Sequence, residues 1–246
     1  LVGEALMRSP HPAAAARAFV AAGEVPDDPA GRARAPFVKI CGVIDREGVQ
    51  AAVAAGADAI GLNLVPGTPR ALSLDEAADL ADVVRAAGRP ASRPRIVAIT
   101  VDRSAEDLLD IVDALDPDAI QLNGDEPIER AASAPRPVWK ALRVGPAASP
   151  ESVAAVARRW LKAGAERILL DAAGGPHPGG TGTRVPADVA AAVACEVPVT
   201  LAGGLRPATV GEALLAIRAV GVDVASGVEG GARDPAGRPR KDPLAV

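Results

Sequence analysis

From residue 36 onward, short apolar runs alternate with amphipathic stretches of helical period. The runs at 36–41, 58–65, 95–101, 119–122, 137–143, 167–171, 198–202 and 222–226 read as strands. Most lack polar alternation, as parallel strands covered on both faces should. Between them the periodicity predicts helices over 45–55, 74–87, 104–114, 127–134, 150–163, 186–195 and 207–219. Several of these carry start signals. Asp45 stands as an N-cap, Ser73 with Glu76 and Ser104 with Asp107 are in capping register, and Ser149 precedes Pro150. After the eighth run only the first turn of a helix is expected, over 242–246.

Strands that alternate with helices imply parallel βα units. Eight of them across residues 36–246 fit a compact (β/α)8 TIM barrel of the α/β class with its last helix truncated. A doubly wound open sheet is the rival, but it needs no fixed count of eight. In a barrel the active site lies where strands end and βα loops begin.

Residues 1–35 stand apart. An apolar strand-like opening is followed by an alanine-rich helical stretch to residue 23, then by a polar segment over 24–35 holding Pro26 and Pro29.

Composition narrows the picture. The chain of 246 residues is 49% hydrophobic, 24% charged and only 2% aromatic, so its core must be Ala, Val, Leu and Ile. A net charge of −4 offers no electrostatic case for nucleic acid. No apolar run reaches the roughly 18 residues of a membrane span. No positively charged leader precedes an apolar run, so a cytoplasmic location is expected. Two cysteines, Cys41 and Cys195, make no disulfide framework, and Cys195 reads as packing at a helix end. With two His and two Cys, a zinc site has few candidate ligands.

The chemistry-bearing residues gather at predicted strand ends. In P-F-V-K-I-C-G (36–42), Lys39 and Cys41 fall on one face and Val38 and Ile40 on the other. A neighbouring ammonium favours thiolate, which would make Cys41 a usable base or nucleophile. The alternative is a small core cysteine with Lys39 paired to a carboxylate. Arg70, on the Pro/Gly-stiffened loop after strand 2, could grip a carboxylate bidentately or could be a solvated loop residue. Asp171 closes the apolar run R-I-L-L-D, either as a functional carboxyl or as a turn residue. Strand 4 ends in Q-L-N-G-D-E, and strand 5 carries Lys140. Glycine-rich turns follow strands 6, 7 and 8, at 174–182, 202–205 and 225–229. Glycines let backbone N–H groups approach an anion, and barrels often bind phosphate after strands 7 and 8. His177 in the first of these turns reads as part of a flexible lid rather than as an acid or base.

Together, V-K-I-C-G, A-G-A-D-A-I-G leading to T-P-R, Q-L-N-G-D-E, W-K-A-L-R-V, L-L-D, G-G-T-G, L-A-G-G-L and D-V-A-S-G-V-E resemble, in order, phosphoribosylanthranilate isomerase of tryptophan biosynthesis. The resemblance covers about 36–246. It implies an Amadori rearrangement of a phosphorylated small molecule without cofactor or metal. By matching position it implies Cys41 as general base, Asp171 as general acid and Arg70 as binder of the anthranilate carboxylate. It also implies substrate or phosphate contacts at Lys39, Gly180, Gly203, Gly204, Ser226 and Gly227. A thiolate base near neutral pH needs a lowered pKa, expected from Lys39, and a carboxyl acid needs a raised one, expected from an apolar strand end.

The chain departs from the family at Asn123, where His is usual, and at Leu62 and Leu64, where aromatics are usual. T-R-V-P-A replaces the usual aromatics after G-G-T-G. These losses are expected to loosen packing around the anthranilate ring. The loop over 230–241 looks long. Two other readings stand beside this one: the related sugar-phosphate Amadori isomerase of histidine biosynthesis, which has Asp where Cys41 stands, and a non-catalytic phosphate-binding barrel. Residues 1–23 resemble the last βα unit of indole-3-glycerol-phosphate synthase. That resemblance implies a bifunctional fusion in which 24–35 is the linker, 36–246 the isomerase barrel and Val246 an artificial end.

Overall fold

The computed structural model describes residues 35–89, 91–173 and 184–246. The expected synthase remnant, most of the linker, His177 and Gly180 lie outside the described residues.

Eight parallel strands close into a barrel in sequence order: β1 (Phe37–Cys41), β2 (Ala59–Asn63), β3 (Arg95–Thr100), β4 (Ala119–Leu122), β5 (Val138–Val144), β6 (Arg167–Ala172), β7 (Val199–Leu201) and β8 (Gly221–Val224). The helices between them are α1 (Arg46–Ala55), α2 (Leu74–Ala86), α3 (Ala105–Leu115), α4 (Arg130–Ser133), α5 (Pro150–Lys162), α6 (Ala187–Ala194) and α7 (Val210–Ile217). Their starts follow the sequence signals. Asp45 and Ser149 accept from N3 amides, and both predicted capping boxes form. Among the described residues no helix is long and apolar enough to cross a membrane.

The outer faces of the strands pack on the helices through buried Ile, Val, Leu and Ala. Each such Val, Leu or Ile contributes about 1.5–3 kcal/mol of burial. Leu62 and Leu64 belong to this outer layer, fully or nearly fully buried and away from the barrel axis. The expectation that losing aromatics there loosens the ligand site is therefore corrected: the residues facing inward are their neighbours Asn63 and Val65.

Inside, the N-terminal end is plugged by the two strand aromatics. Phe37 and Trp139 meet edge to face at 5.6 Å, and the Arg167 guanidinium stacks over both, 3.8 Å from the Phe37 ring centre. Above them lie Val97, Ala141 and Leu169. The upper interior turns polar, which opens the C-terminal end to chemistry.

In place of an eighth helix, a short 3-10 turn (Ser226–Val228) leads into an antiparallel hairpin, β9 (Glu229–Arg233) and β10 (Pro239–Lys241). The stretch that read as a long loop is this hairpin. Asp234 closes its turn by accepting from the Arg238 amide at 2.7 Å. Arg238 also pairs with Glu76 of α2, and Arg240 with Asp45 before α1, so the hairpin is fastened to the first two helices. The expected first helical turn follows: Val246 N–H donates to Asp242 O at 3.1 Å, and the Asp242 carboxylate accepts from Leu244 N–H at 2.9 Å. Cys195, expected to pack, is exposed, just past the last residue of α6.

Candidate active site

At the C-terminal end of the barrel a cleft is bordered by Cys41, Arg70, Asp171, Gly203, Gly204, Ser226 and Gly227. Five different strand ends or loops supply them. The pairings Cys41–Gly61, Gly61–Val97, Ala141–Leu169 and Leu169–Thr200 keep the inward phase all the way round the sheet, so residues far apart in sequence face one space.

Cys41 ends β1. Burial pushes its thiol above the ordinary value and the Asp223 carboxylate adds to this; Lys39 and then Lys241 pull the other way. The expected thiolate-favouring effect of Lys39 is therefore present but outweighed. Burial of the thiol is the main reason, and Asp223, the partner that Lys39 has acquired, adds to it. Lys39 is fully buried, and its Nζ donates to Asp223 Oδ1 at 2.8 Å. Burial opposes the Lys39 charge, but Asp223 and Cys41 hold its pKa above the usual lysine value. The ammonium does not border the cleft. Of the two readings open for Lys39, the paired one describes its position.

Asp171 lies near the end of β6. Burial, reinforced by the charge of Asp223, pushes its carboxyl up to about 6, against the Ala172 amide and the charges of Lys39 and Arg143. The amide donates to Asp171 Oδ1 at 2.9 Å. A carboxyl raised in this way can hold a proton near neutral pH and donate it, as the apolar strand end implied.

Arg70 reaches over the backbone of Gly42. That residue has φ +65°, and a Cβ there would stand 2.2 Å from Arg70 Cδ. The side chain is nearly buried and pairs through Nε with Glu229. The guanidinium thus already holds one carboxylate while bordering the cleft. Glu229 Oε1 is shared with Lys241 Nζ at 3.1 Å.

Gly203 and Gly204 both have positive φ, +84° and +63°, which lets the turn after β7 fold tightly. Gly227 lies so near it that a Cβ would stand 1.7 Å from Leu205 O. The two turns therefore meet through glycine, with the start of the Ser226–Val228 helical turn facing the cleft. Glycine turns of this kind let backbone approach a ligand closely.

Other residues form the walls. Gln121 Nε2 donates to Asn123 Oδ1 at 2.9 Å, and both border the cleft. Asn63 staples its own loop through Thr68 and Val65. Lys140 points outward and pairs with the buried Glu126 at 2.7 Å, while Glu126 accepts the amides of Asp102 and Gly124. Its role is to set the loops after β3 and β4.

Sequence reasoning missed Asp223, Glu229 and Lys241. Asp223 had a signal: a lone carboxylate inside the final apolar run, on the strand that must close against Lys39. Glu229 stood in a quoted motif without a role. Lys241 had none, since its place depends on the hairpin.

The family model of N-(5'-phosphoribosyl)anthranilate (PRA) isomerase matches residues 38–236. The chain is 42% identical over 199 residues to N-(5'-phosphoribosyl)anthranilate isomerase of Rhodopseudomonas palustris strain HaA2, covering 78% of this chain and 86% of the relative. It is 42% identical over 194 residues to that of Myxococcus xanthus strain DK1622, with the same coverage of 78% and 86%. Among solved structures it resembles phosphoribosyl anthranilate isomerase from Thermus thermophilus at 31% identity and a TM-score of 0.67, covering 85% of this chain and 94% of that one. A further likeness, at 28% identity and a TM-score of 0.65 with the same coverage of 85% and 94%, is to a phosphoribosyl anthranilate isomerase in complex with reduced 1-(o-carboxyphenylamino)-1-deoxyribulose 5-phosphate.

Proposed function

Because this chain belongs to the N-(5'-phosphoribosyl)anthranilate isomerase family, we propose that Asp171 and Cys41 carry the two proton transfers of that isomerisation. The protein converts N-(5'-phosphoribosyl)anthranilate to 1-(2-carboxyphenylamino)-1-deoxyribulose 5-phosphate in tryptophan biosynthesis. The observation that carries the residue assignment is the raised carboxyl of Asp171 sharing one cleft with Cys41.

Protonated Asp171 donates to the ribose ring oxygen, the C1'–O bond breaks, and a protonated Schiff base forms. The Cys41 thiolate removes the C2' proton, giving an enolamine that tautomerises to the ketone. Asp171 ends as carboxylate and Cys41 as thiol, and solvent exchange resets both. Acid and base act on different substrate atoms, which fits their placement on β6 and β1. The phosphate is read by the Gly203–Gly204 and Ser226–Gly227 turns, and the anthranilate carboxylate by Arg70.

The required state, Asp171 protonated and Cys41 ionised, is a minor one, because the Cys41 thiol titrates above Asp171. The expected kcat/KM profile is therefore broad, with an acid limb near pH 6 and an alkaline limb above the ordinary thiol range. Incubation with N-(5'-phosphoribosyl)anthranilate, following loss of its fluorescence across pH, tests this reading. A limb near pH 6 that persists in Asp171→Asn would sink the acid assignment.

A further inference from the structure

The hairpin formed by the stretch that read as a long loop ends in a lysine aimed inward. Lys241 is 4% exposed, and its Nζ donates to Ala225 O at 2.8 Å and to Glu229 Oε1 at 3.1 Å. The same Glu229 oxygen accepts from Arg70 Nε. Arg70 in turn lies on Gly42, the residue after Cys41. One carboxylate oxygen therefore joins a cation from the hairpin to the cation that borders the cleft. A buried ammonium is costly, and surface pairs of Arg238 and Arg240 already fasten the hairpin to the barrel.

We propose that Lys241 is a positioning residue of the isomerisation: it holds Glu229 in place against Arg70 and sets a second ammonium beside Cys41. This rests on the reading of Cys41 as base. The charged groups around Cys41 are Lys39 on its own strand, Asp223 on β8 and Lys241 on β10; Arg70 and Asp171 border the same cleft, and Glu229 is paired to Arg70. Lys39 is shared with Asp223 at 2.8 Å, and Lys241 adds a second cation to its pull against the burial of the thiol.

The test is the kcat/KM profile of Lys241→Met and Lys241→Arg beside the parent enzyme. Removing the charge should move the alkaline limb up by about one unit, typical of a neighbouring charge. Because the reacting protonation state is a minor one, the plateau should fall about tenfold for each unit the limb moves. KM should rise in Lys241→Met as Glu229 loses its fixed place against Arg70. Lys241→Arg should restore the limb. A plateau that falls with the limb unmoved, or a loss as large in Lys241→Arg, would overturn the proposal and leave Lys241 a structural anchor. If Lys241→Met does not fold, Lys241→Gln, which keeps a donor for Ala225 O, should show the same linked shift; an unmoved limb there overturns it equally. Cys41→Ala separates the two layers. If it keeps full turnover, the base assignment fails. If it is inactive and the Lys241 variants keep the parent profile, only the role of Lys241 fails.

Discussion

Lys39 Nζ and Asp223 Oδ1 stand 2.8 Å apart inside the barrel, on the two strands whose pairing closes it. They are register partners in the first and last strands, so the closure of the sheet brings a fully buried ammonium against a carboxylate that borders the cleft. Each makes the other tolerable. Asp223 also acts on both candidate catalytic groups, holding the Cys41 thiol and the Asp171 carboxyl up.

Breaking this pair should be costly. Lys39→Met and Asp223→Asn should each lose about 3–5 kcal/mol of stability, because each leaves or exposes an unmatched buried group. The double variant should recover part of the loss. Urea unfolding through a double-mutant cycle measures the coupling, and additive losses would show that the two residues do not act as a pair.

Cys41→Ala and Asp171→Asn should each lower kcat on the order of 100-fold or more, as expected for a lost general base or acid. Circular dichroism should stay unchanged, since both side chains border the cleft rather than the packed outer layer. Turnover near the parent level in either variant would remove that residue from the mechanism.

Asp171 should also reveal itself through stability. Its carboxyl titrates at about 6 in the fold against an ordinary 3.8. Below 3.8 both folded and unfolded chains hold the proton. Between 3.8 and 6 only the folded chain does, so stability falls as pH rises through that window, and the penalty is complete above 6. Asp171→Asn escapes it. The variant should gain about 1–3 kcal/mol over the parent at pH 8 and little at pH 4. Equal gains at both values would contradict a raised carboxyl.

Arg70→Ala should weaken ligands that carry the anthranilate carboxylate by about 1.5–3 kcal/mol, the value of a hydrogen bond to a charged group. Ribulose 5-phosphate, which lacks that carboxylate, should bind nearly as before. Matching losses for both ligands in titration calorimetry would place Arg70 elsewhere.

Gly227→Ala tests the phosphate cradle. Its new Cβ would stand 1.7 Å from Leu205 O, so the turns after β7 and β8 must separate. Inhibition by ribulose 5-phosphate should weaken at least about tenfold, the scale of a lost charged hydrogen bond. Unchanged inhibition would mean that the phosphate sits away from this contact.

The local pattern of the chain determined much of this molecule. Apolar runs of strand length and capped amphipathic stretches are short-range facts, so β1–β8, α1–α3 and α5 are legible in the order of residues alone. The count of eight is enough to imply the barrel. Cys41, Arg70, Asp171 and the paired glycine turns are legible too, because strand ends are where such a barrel keeps its chemistry. Tertiary structure decided the electrostatics. Whether Lys39 activates Cys41 depends on what sits across the β1–β8 closure, and Asp223 is 184 residues away. The positions of Leu62 and Leu64 turned on strand phase relative to the barrel axis, which a one-residue change reverses. Lys241 could not be read at all: it enters the site only because a hairpin folds back along α1 and α2, and no local period records where a hairpin comes to rest.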